Sequence, residues 1–239
     1  VYQQDPSVEG LILFKHGIFT FGDTAKEAYS RMIEQVSLAE KRAGKGKRNV
    51  FKGTKLPKKI ARVADVAPIL RGLVAAAGRR VVLDFRTSAN VRAYVDGKDV
   101  NRYSQKGTVT PDHVIRTKPN PLIVPAPDAN DLDGFANAAK KALDAYQKSY
   151  RSYFERQNKR VGFSKTELDL MPRIILVPGL GLFGLDGNAK SAGIVADLAE
   201  TNVDVITQAE SLSSYQPIPE NDVFDIEYWS LEQAKTSLE

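Results

Sequence analysis

The sequence has no cysteine, only two histidines and two methionines, and a single tryptophan in 239 residues. Without thiols there is no disulfide framework, no thiolate nucleophile, no cysteine-ligated zinc and no iron–sulfur cluster. His16 and His113 alone cannot complete a three-histidine metal site within the chain. Long hydrophobic runs are missing too: none approaches the roughly 18 residues of a membrane span, and no charged-then-apolar leader opens the sequence. These features predict a soluble protein of the cytoplasm. What remains is an ordinary globular composition, 42% apolar with 17 Gly and 12 Pro, enough for one large core or two modest ones.

Charge of one sign is concentrated in one place. The formal net charge is +5, yet residues 41–62, KRAGKGKRNVFKGTKLPKKIAR, hold ten Lys/Arg and no acid, leaving 24 basic against 29 acidic residues elsewhere. Clustered cations can release counterions from a phosphate backbone. This segment, however, is rich in Gly and Lys, has one aromatic (Phe51) and shows no sustained helical stripe. It predicts a flexible basic connector, and neither a nucleic-acid nor a membrane partner is expected.

Periodicity orders the rest of the chain. GLILF (10–14) suits a buried strand, followed by a turn at KHG and by IFTFG. A helix is predicted from Thr24, where Thr24-Ala-Lys-Glu27 can form a capping box and Tyr29, Met32, Ile33 and Val36 share a face. A second helix is predicted over Ile60–Ala77, ending at Gly78. RRVVLDFR (79–86) reads as a strand, VRAYVDGK (91–98) as another closing at its Asp-Gly, and LIVPAP (122–127) as a third ending at proline. The longest helix should run from Asp131 to Lys159. Its Phe135, Ala138, Ala142, Ala145, Tyr146, Tyr150, Tyr153 and Phe154 recur at helical spacing, which predicts a core-facing stripe. RIILVP (173–178) reads as a buried strand, Asn188 as the cap of another helix, and VDVIT (203–207) as a last strand. This alternation predicts an α/β fold.

Two segments repeat. LILFKHGIFTFGDTAKEA lies over ILVPGLGLFGLDGNAKSA without a gap at an offset of 164 residues, with five identities in 18 positions. If this is a duplication, both copies should form paired strands leading into a helix, and His16 is replaced in the second copy by Leu180, which cannot coordinate a cation. The second copy also contains Gly179-Leu-Gly181-Leu-Phe-Gly184, a formal dinucleotide fingerprint. Helix signals start only near Asn188, too late for these glycines to cradle a pyrophosphate. The glycines are therefore predicted as turn residues, and a nucleotide-binding oxidoreductase stays a third alternative.

LILFKHGIFTFGDTAKEAYSRMIEQVSLAE (11–40) resembles class II aldolase/adducin-type domains, in which a strand ends in a His-Gly turn. TPDHVIRTKPNPLIV (110–124), ILVPGLGLFG (175–184) and VFDIEYWSLEQAK (223–235) resemble bifunctional rhamnulose-1-phosphate aldolase/short-chain dehydrogenase proteins. The resemblance implies class II aldolase/adducin-like α/β units. Residues 1–40 would be the C-terminal part of a first unit, 41–59 a basic connector, 60–215 a degenerate second unit, and 216–239 a tail leading to a dehydrogenase domain. It also implies that His16 is one of three ligands of a catalytic divalent metal, usually zinc, the other two in a His-x-His pattern before Val1 together with the catalytic glutamate. On this expectation the chain is the central piece of a longer protein and is inactive alone, and its own catalytic residues are unassigned.

The parent would cleave a deoxy-ketose 1-phosphate of the rhamnulose 1-phosphate type into dihydroxyacetone phosphate and lactaldehyde, a step of carbohydrate metabolism. Such a cleavage leaves an enediolate whose charge a divalent cation can stabilise. NAD would belong to the dehydrogenase domain alone. A sugar phosphate and further copies of the chain itself are the expected partners. His113, Arg116 and Lys118 are candidate substrate-binding residues, because cationic side chains donate charge-assisted hydrogen bonds to phosphate oxygens. The alternative for them is a solvated surface turn. The alternative for the whole chain is a non-catalytic scaffold or oligomerisation module.

Overall fold

A computed structural model describes residues 3–15, 17–47 and 49–237; His16 and its predicted strand-end position lie outside the described residues. The chain divides into two compact units, one up to Val50 together with Gln208–Ser214, the other Phe51–Thr207 with the residues from Tyr215 onward.

The first unit holds β1 (Gly10–Leu13), β2 (Gly17–Thr20) and α1 (Ala25–Ala43). The strands pair antiparallel, Leu11 opposite Phe19 and Ile12 opposite Ile18. Thr24 caps α1 as predicted, its hydroxyl accepting from the Glu27 amide at 3.2 Å, while Glu27 accepts from the Asp23 amide at 3.0 Å. The helix continues through Ala43, into the basic run, where Lys41 and Arg42 fall in its last turn and favour the negative end of the helix dipole.

The second unit is a mixed α/β domain, as the alternating pattern predicts. Its elements are α2 (Val63–Ala76), β3 (Val82–Arg86), α3 (Ala89–Val95), α4 (Val100–Ser104), a single 3-10 turn at Pro111–His113, α5 (Val114–Thr117), β4 (Leu122–Ile123), α6 (Leu132–Arg160), β5 (Ile174–Val177), β6 (Gly181–Asp186), α7 (Ala189–Leu212), α8 (Glu220–Glu227) and α9 (Ser230–Ser237). The sheet order is β3-β6-β5-β4; β4 lies parallel to β5 and the other neighbours are antiparallel. Every residue of β5 is buried, the pattern of a strand covered on both faces. Ile175, Val177, Phe183 and Leu185 pack with Val66, Leu70 and Val74 of α2 and Phe135, Ala139 and Leu143 of α6. On the other face Ile174, Leu176 and Leu182 line a small cavity together with Ala199, Val203 and Ile206 of α7. Among the described residues no helix is long and apolar enough to cross a membrane.

Three expectations change. VRAYVDGK is not a strand: Ser88 accepts from the Val91 amide at 3.3 Å and caps α3, whose Val91, Tyr94 and Val95 then face inward at helical spacing. VDVIT is not a strand either, because Val203 and Ile206 extend the buried face of α7 begun by Ala192, Val195, Ala196 and Ala199; tertiary packing overrides a β-branched local preference. The basic segment is not a free connector beyond Val50. Phe51 packs against Tyr103, the two rings tilted by 32° with centroids 4.3 Å apart. Backbone bonds from Thr54 to Asp96, from Lys98 to Lys52 (both 2.7 Å) and from Ala129 to Lys59 (2.9 Å) strap residues 52–59 to the domain.

The repeat holds to the residue. Gly10–Thr20, Leu11–Phe19, Ile12–Ile18 and Leu13–Gly17 in the first hairpin become Ile174–Gly184, Ile175–Phe183, Leu176–Leu182 and Val177–Gly181 in the second, each position shifted by 164. Both following helices start at the shifted position, Ala25 and Ala189. Asn188 repeats the cap of Thr24, its side-chain oxygen accepting from the Ser191 amide at 2.9 Å. Even the turn recurs: Lys15 and Gly179 both have left-handed φ, 59° and 89°.

Candidate functional site

A cleft of about 490 Å³ opens between α4, the segment 119–123 and the middle of α6. Pro119 and Pro121 flank Asn120, removing two backbone donors and holding the segment extended, and Gln105 fastens it by donating to the Pro121 carbonyl at 2.9 Å. From α6, Tyr146, Ser149, Tyr150 and Tyr153 form the facing wall. Two polar atoms in this lining, Asn120 Oδ1 and the Tyr146 hydroxyl, are buried without a hydrogen-bond partner. Burial pushes the Tyr146 phenol far up, so it remains both donor and acceptor. A buried polar atom left unpaired costs about 1–3 kcal/mol; both atoms are shielded from the cleft, so a hydroxylated ligand would pair them only once the two side chains turn outward. The cations at the rim are engaged: Arg156 grips Glu220 in a bidentate pair (3.0 and 2.7 Å), and Lys106 donates to the Tyr215 carbonyl at 2.8 Å.

Behind this wall lies a buried polar cluster. Tyr150 and Tyr153 donate to the two oxygens of Glu227 at 2.8 and 2.9 Å, and the Tyr150 and Tyr228 hydroxyls are 3.0 Å apart. Burial pushes the Glu227 carboxyl up to about 7, against the opposing influence of Lys118 and the two tyrosine hydrogen bonds. The Lys118 ammonium sits 3.6 Å above the Tyr150 ring centre and donates to the Asp169 carbonyl. Burial pushes it down to about 8 despite the nearby Asp169. Burial also acts on Asp169 itself, but Arg173, Lys118 and Arg79 hold that carboxyl well below the usual range.

Of the candidate substrate residues, His113 closes the 3-10 turn, and its Nδ1 donates to Asn202 Oδ1 at 3.2 Å. Arg116 is half-buried on α5. Lys118 ends α5 with a left-handed φ of 59° and turns into the buried cluster. None of the three lines the large cleft, which Pro119 and Asn120 enter instead. Sequence reading placed Tyr146 in a core stripe and passed over Asn120 and Glu227. The Pro-Asn-Pro spacing was the available signal for Asn120; Glu227 had none, since its partners are more than 70 positions away.

The fingerprint glycines belong to the hairpin. Gly179 lies in the turn, Gly181 and Gly184 lie in β6, and α7 starts at Ala189. Calorimetric titration of NAD(H) into the chain is expected to give no micromolar binding; an affinity in that range would show that the turn can cradle a pyrophosphate. Among the described residues no group of three or more His, Cys, Asp or Glu side chains could hold a metal ion, so the described residues do not supply the metal centre that the family resemblance implies.

Fold and cleft together describe an α/β domain with a partly polar cleft beside α6. The chain belongs to the class II aldolase family: residues 61–236 match that family's second domain. Over 242 aligned residues it is 28% identical to a Bacillus subtilis (strain 168) protein named Uncharacterized oxidoreductase YuxG, an alignment covering 98% of this chain and 34% of that relative. The chain thus spans about a third of the length of the curated relative it matches. No solved structure matches it.

Proposed function

We propose that the chain forms part of a lyase that splits a deoxy-ketose 1-phosphate of the rhamnulose 1-phosphate type into dihydroxyacetone phosphate and lactaldehyde, with the cleft beside α6 holding the sugar. The observation that carries this reading is the pair of unpartnered buried polar atoms, Asn120 Oδ1 and the Tyr146 hydroxyl, in side chains that line one cleft of a class II aldolase second domain. With the two side chains turned into the cleft, a sugar hydroxyl can donate to the amide oxygen, and a second can both give to and take from the phenol. Proline, leucine and isoleucine at 119–123 offer the apolar floor on which a deoxy-sugar methyl can rest. Asn101, Gln105 and Ser149 add neutral donors and acceptors around it.

In this proposal the divalent metal, zinc by the family resemblance, is held with His16 by residues outside the described set. The metal would stabilise the enediolate left by carbon–carbon cleavage. Oxidoreductase chemistry, which the Bacillus relative carries in its name, would reside in a dehydrogenase domain outside this chain. A cytoplasmic location and self-association complete the reading.

The test is calorimetric titration of rhamnulose 1-phosphate and of dihydroxyacetone phosphate into the chain and its Asn120→Ala and Tyr146→Phe variants. Each variant is expected to weaken sugar-phosphate binding about tenfold, the worth of one buried hydrogen bond. Tyr146→Phe should also leave the ligand-free protein as stable or up to about 1 kcal/mol more stable, because an unpaired hydroxyl has gone. Equal affinity in all three proteins would remove the cleft from the reading. Binding without lyase activity in the complete gene product would favour the scaffold alternative.

A further inference from the structure

The two hairpin–helix copies share one pairing register and differ in what covers them. In the second copy, β3 runs antiparallel along β6, with Phe85 opposite Phe183, and β4 runs parallel along β5, with Leu122 opposite Ile175. In the first copy, β1 and β2 form a two-stranded sheet among the described residues. Leu176 and Phe183 of the second copy are 2% and 1% exposed, whereas their counterparts Ile12 and Phe19 are 82% and 53% exposed. The helices differ in the same way. α7 buries Ala192, Val195, Ala196 and Ala199, while α1 buries nothing and leaves Tyr29, Ile33 and Val36 exposed. A lone two-stranded hairpin is marginal in water, and an open apolar edge invites pairing.

We infer that β1 and β2 are the inner pair of a four-stranded sheet, whose outer strands are supplied by the rest of a domain built like residues 51–207, the counterpart of residues 51–173 that precede the second hairpin. One strand of that domain lies antiparallel along β2 and another parallel along β1, as β3 and β4 lie along β6 and β5. The duplicated register specifies the edges and their directions, because a strand added to either edge must meet the same donors and acceptors as its counterpart. The equivalent apolar faces specify the chemistry: an apolar layer on each face, as α2 and α6 cover Phe183 on one side and Tyr94 of α3 joins α7 around Leu176 on the other. The occupant is a domain of the same polypeptide. The matched family region is a second domain that begins at residue 61, after this hairpin, and the Bacillus relative has about three times the length that aligns here. The inference stands on the repeat and does not depend on the sugar-phosphate reading.

Hydrogen–deuterium exchange read by mass spectrometry tests it without any ligand, on the 239-residue chain and on the complete product of its gene. In the chain, amides of residues 10–13 and 17–20 are expected to exchange at least 100-fold faster than those of 174–177 and 181–184. In the complete product the two hairpins should be protected within tenfold of each other. Phe19→Lys there should restore fast exchange to the first hairpin and leave the second unchanged, and Ile12→Lys should do the same should the first variant fail to express. A first hairpin that exchanges fast in the complete product overturns the inference. So does protection that develops in the 239-residue chain with rising concentration, which would make a second copy the occupant.

Discussion

Gly184→Ala is expected to destabilise the chain by about 3 kcal/mol, measured by urea unfolding. A β-carbon there would lie 2.6 Å from the Ala196 amide nitrogen and 2.7 Å from the Ala192 carbonyl oxygen. Both are backbone atoms of α7, so relief requires moving the helix off the sheet, and overpacking of this kind typically costs about 1–3 kcal/mol, sometimes more. The first copy of the repeat shows the alternative. Thr20 stands at the equivalent position, and its hydroxyl donates to the Ala28 carbonyl at 2.8 Å, where Ala28 corresponds to Ala192. With a side chain the helix is held through a hydrogen bond; without one it closes onto the strand. Gly72→Ala is the control: it lies within α2 with nothing inside 4 Å of a β-carbon, and should stabilise by about 0.5–1 kcal/mol through helix propensity. A neutral Gly184→Ala would mean that α7 does not pack this closely.

Stability is expected to fall by on the order of 3 kcal/mol between about pH 4.5 and 7, a fall that Glu227→Gln abolishes. The Glu227 carboxyl is raised from its ordinary 4.5 to about 7 by burial. Across that interval the folded protein keeps a proton that the unfolded chain has released, so the stabilisation is complete below 4.5 and is lost as pH rises through 7. Lys118, lowered from 10.5 to about 8, has the opposite slope at higher pH. The folded protein sheds that proton first, and stability recovers as pH climbs from about 8 to 10.5. Together the two groups place a minimum between pH 7 and 8. Asp169, held below the usual carboxylate range, adds its loss only as pH falls below about 3.8. Chemical unfolding across this range checks the shape, and a monotonic rise from pH 5 to 8 would show that Glu227 is ionised in the folded protein.

The class II aldolase membership and the α/β class were legible before any coordinates, because strand and helix periodicities alternate and the resembling segments occur in order. Local chemistry placed the caps at Thr24 and Asn188, since a short polar side chain ahead of an apolar stripe satisfies the first free amides of a helix. Five identities at a fixed offset sufficed to foresee the second hairpin, because strand alternation ties each matched apolar residue to a matched face. Tertiary structure alone decided the rest. Val203 and Ile206 became helical, and Phe51 pinned a segment whose composition reads as linker, because burial against distant partners outweighs local preference. Asn120 and Tyr146 come to line one cleft, and Glu227 meets Tyr150 and Tyr153, only once α6 has crossed the domain. Contacts between residues far apart in the chain depend on how whole elements pack, and no local spacing encodes them.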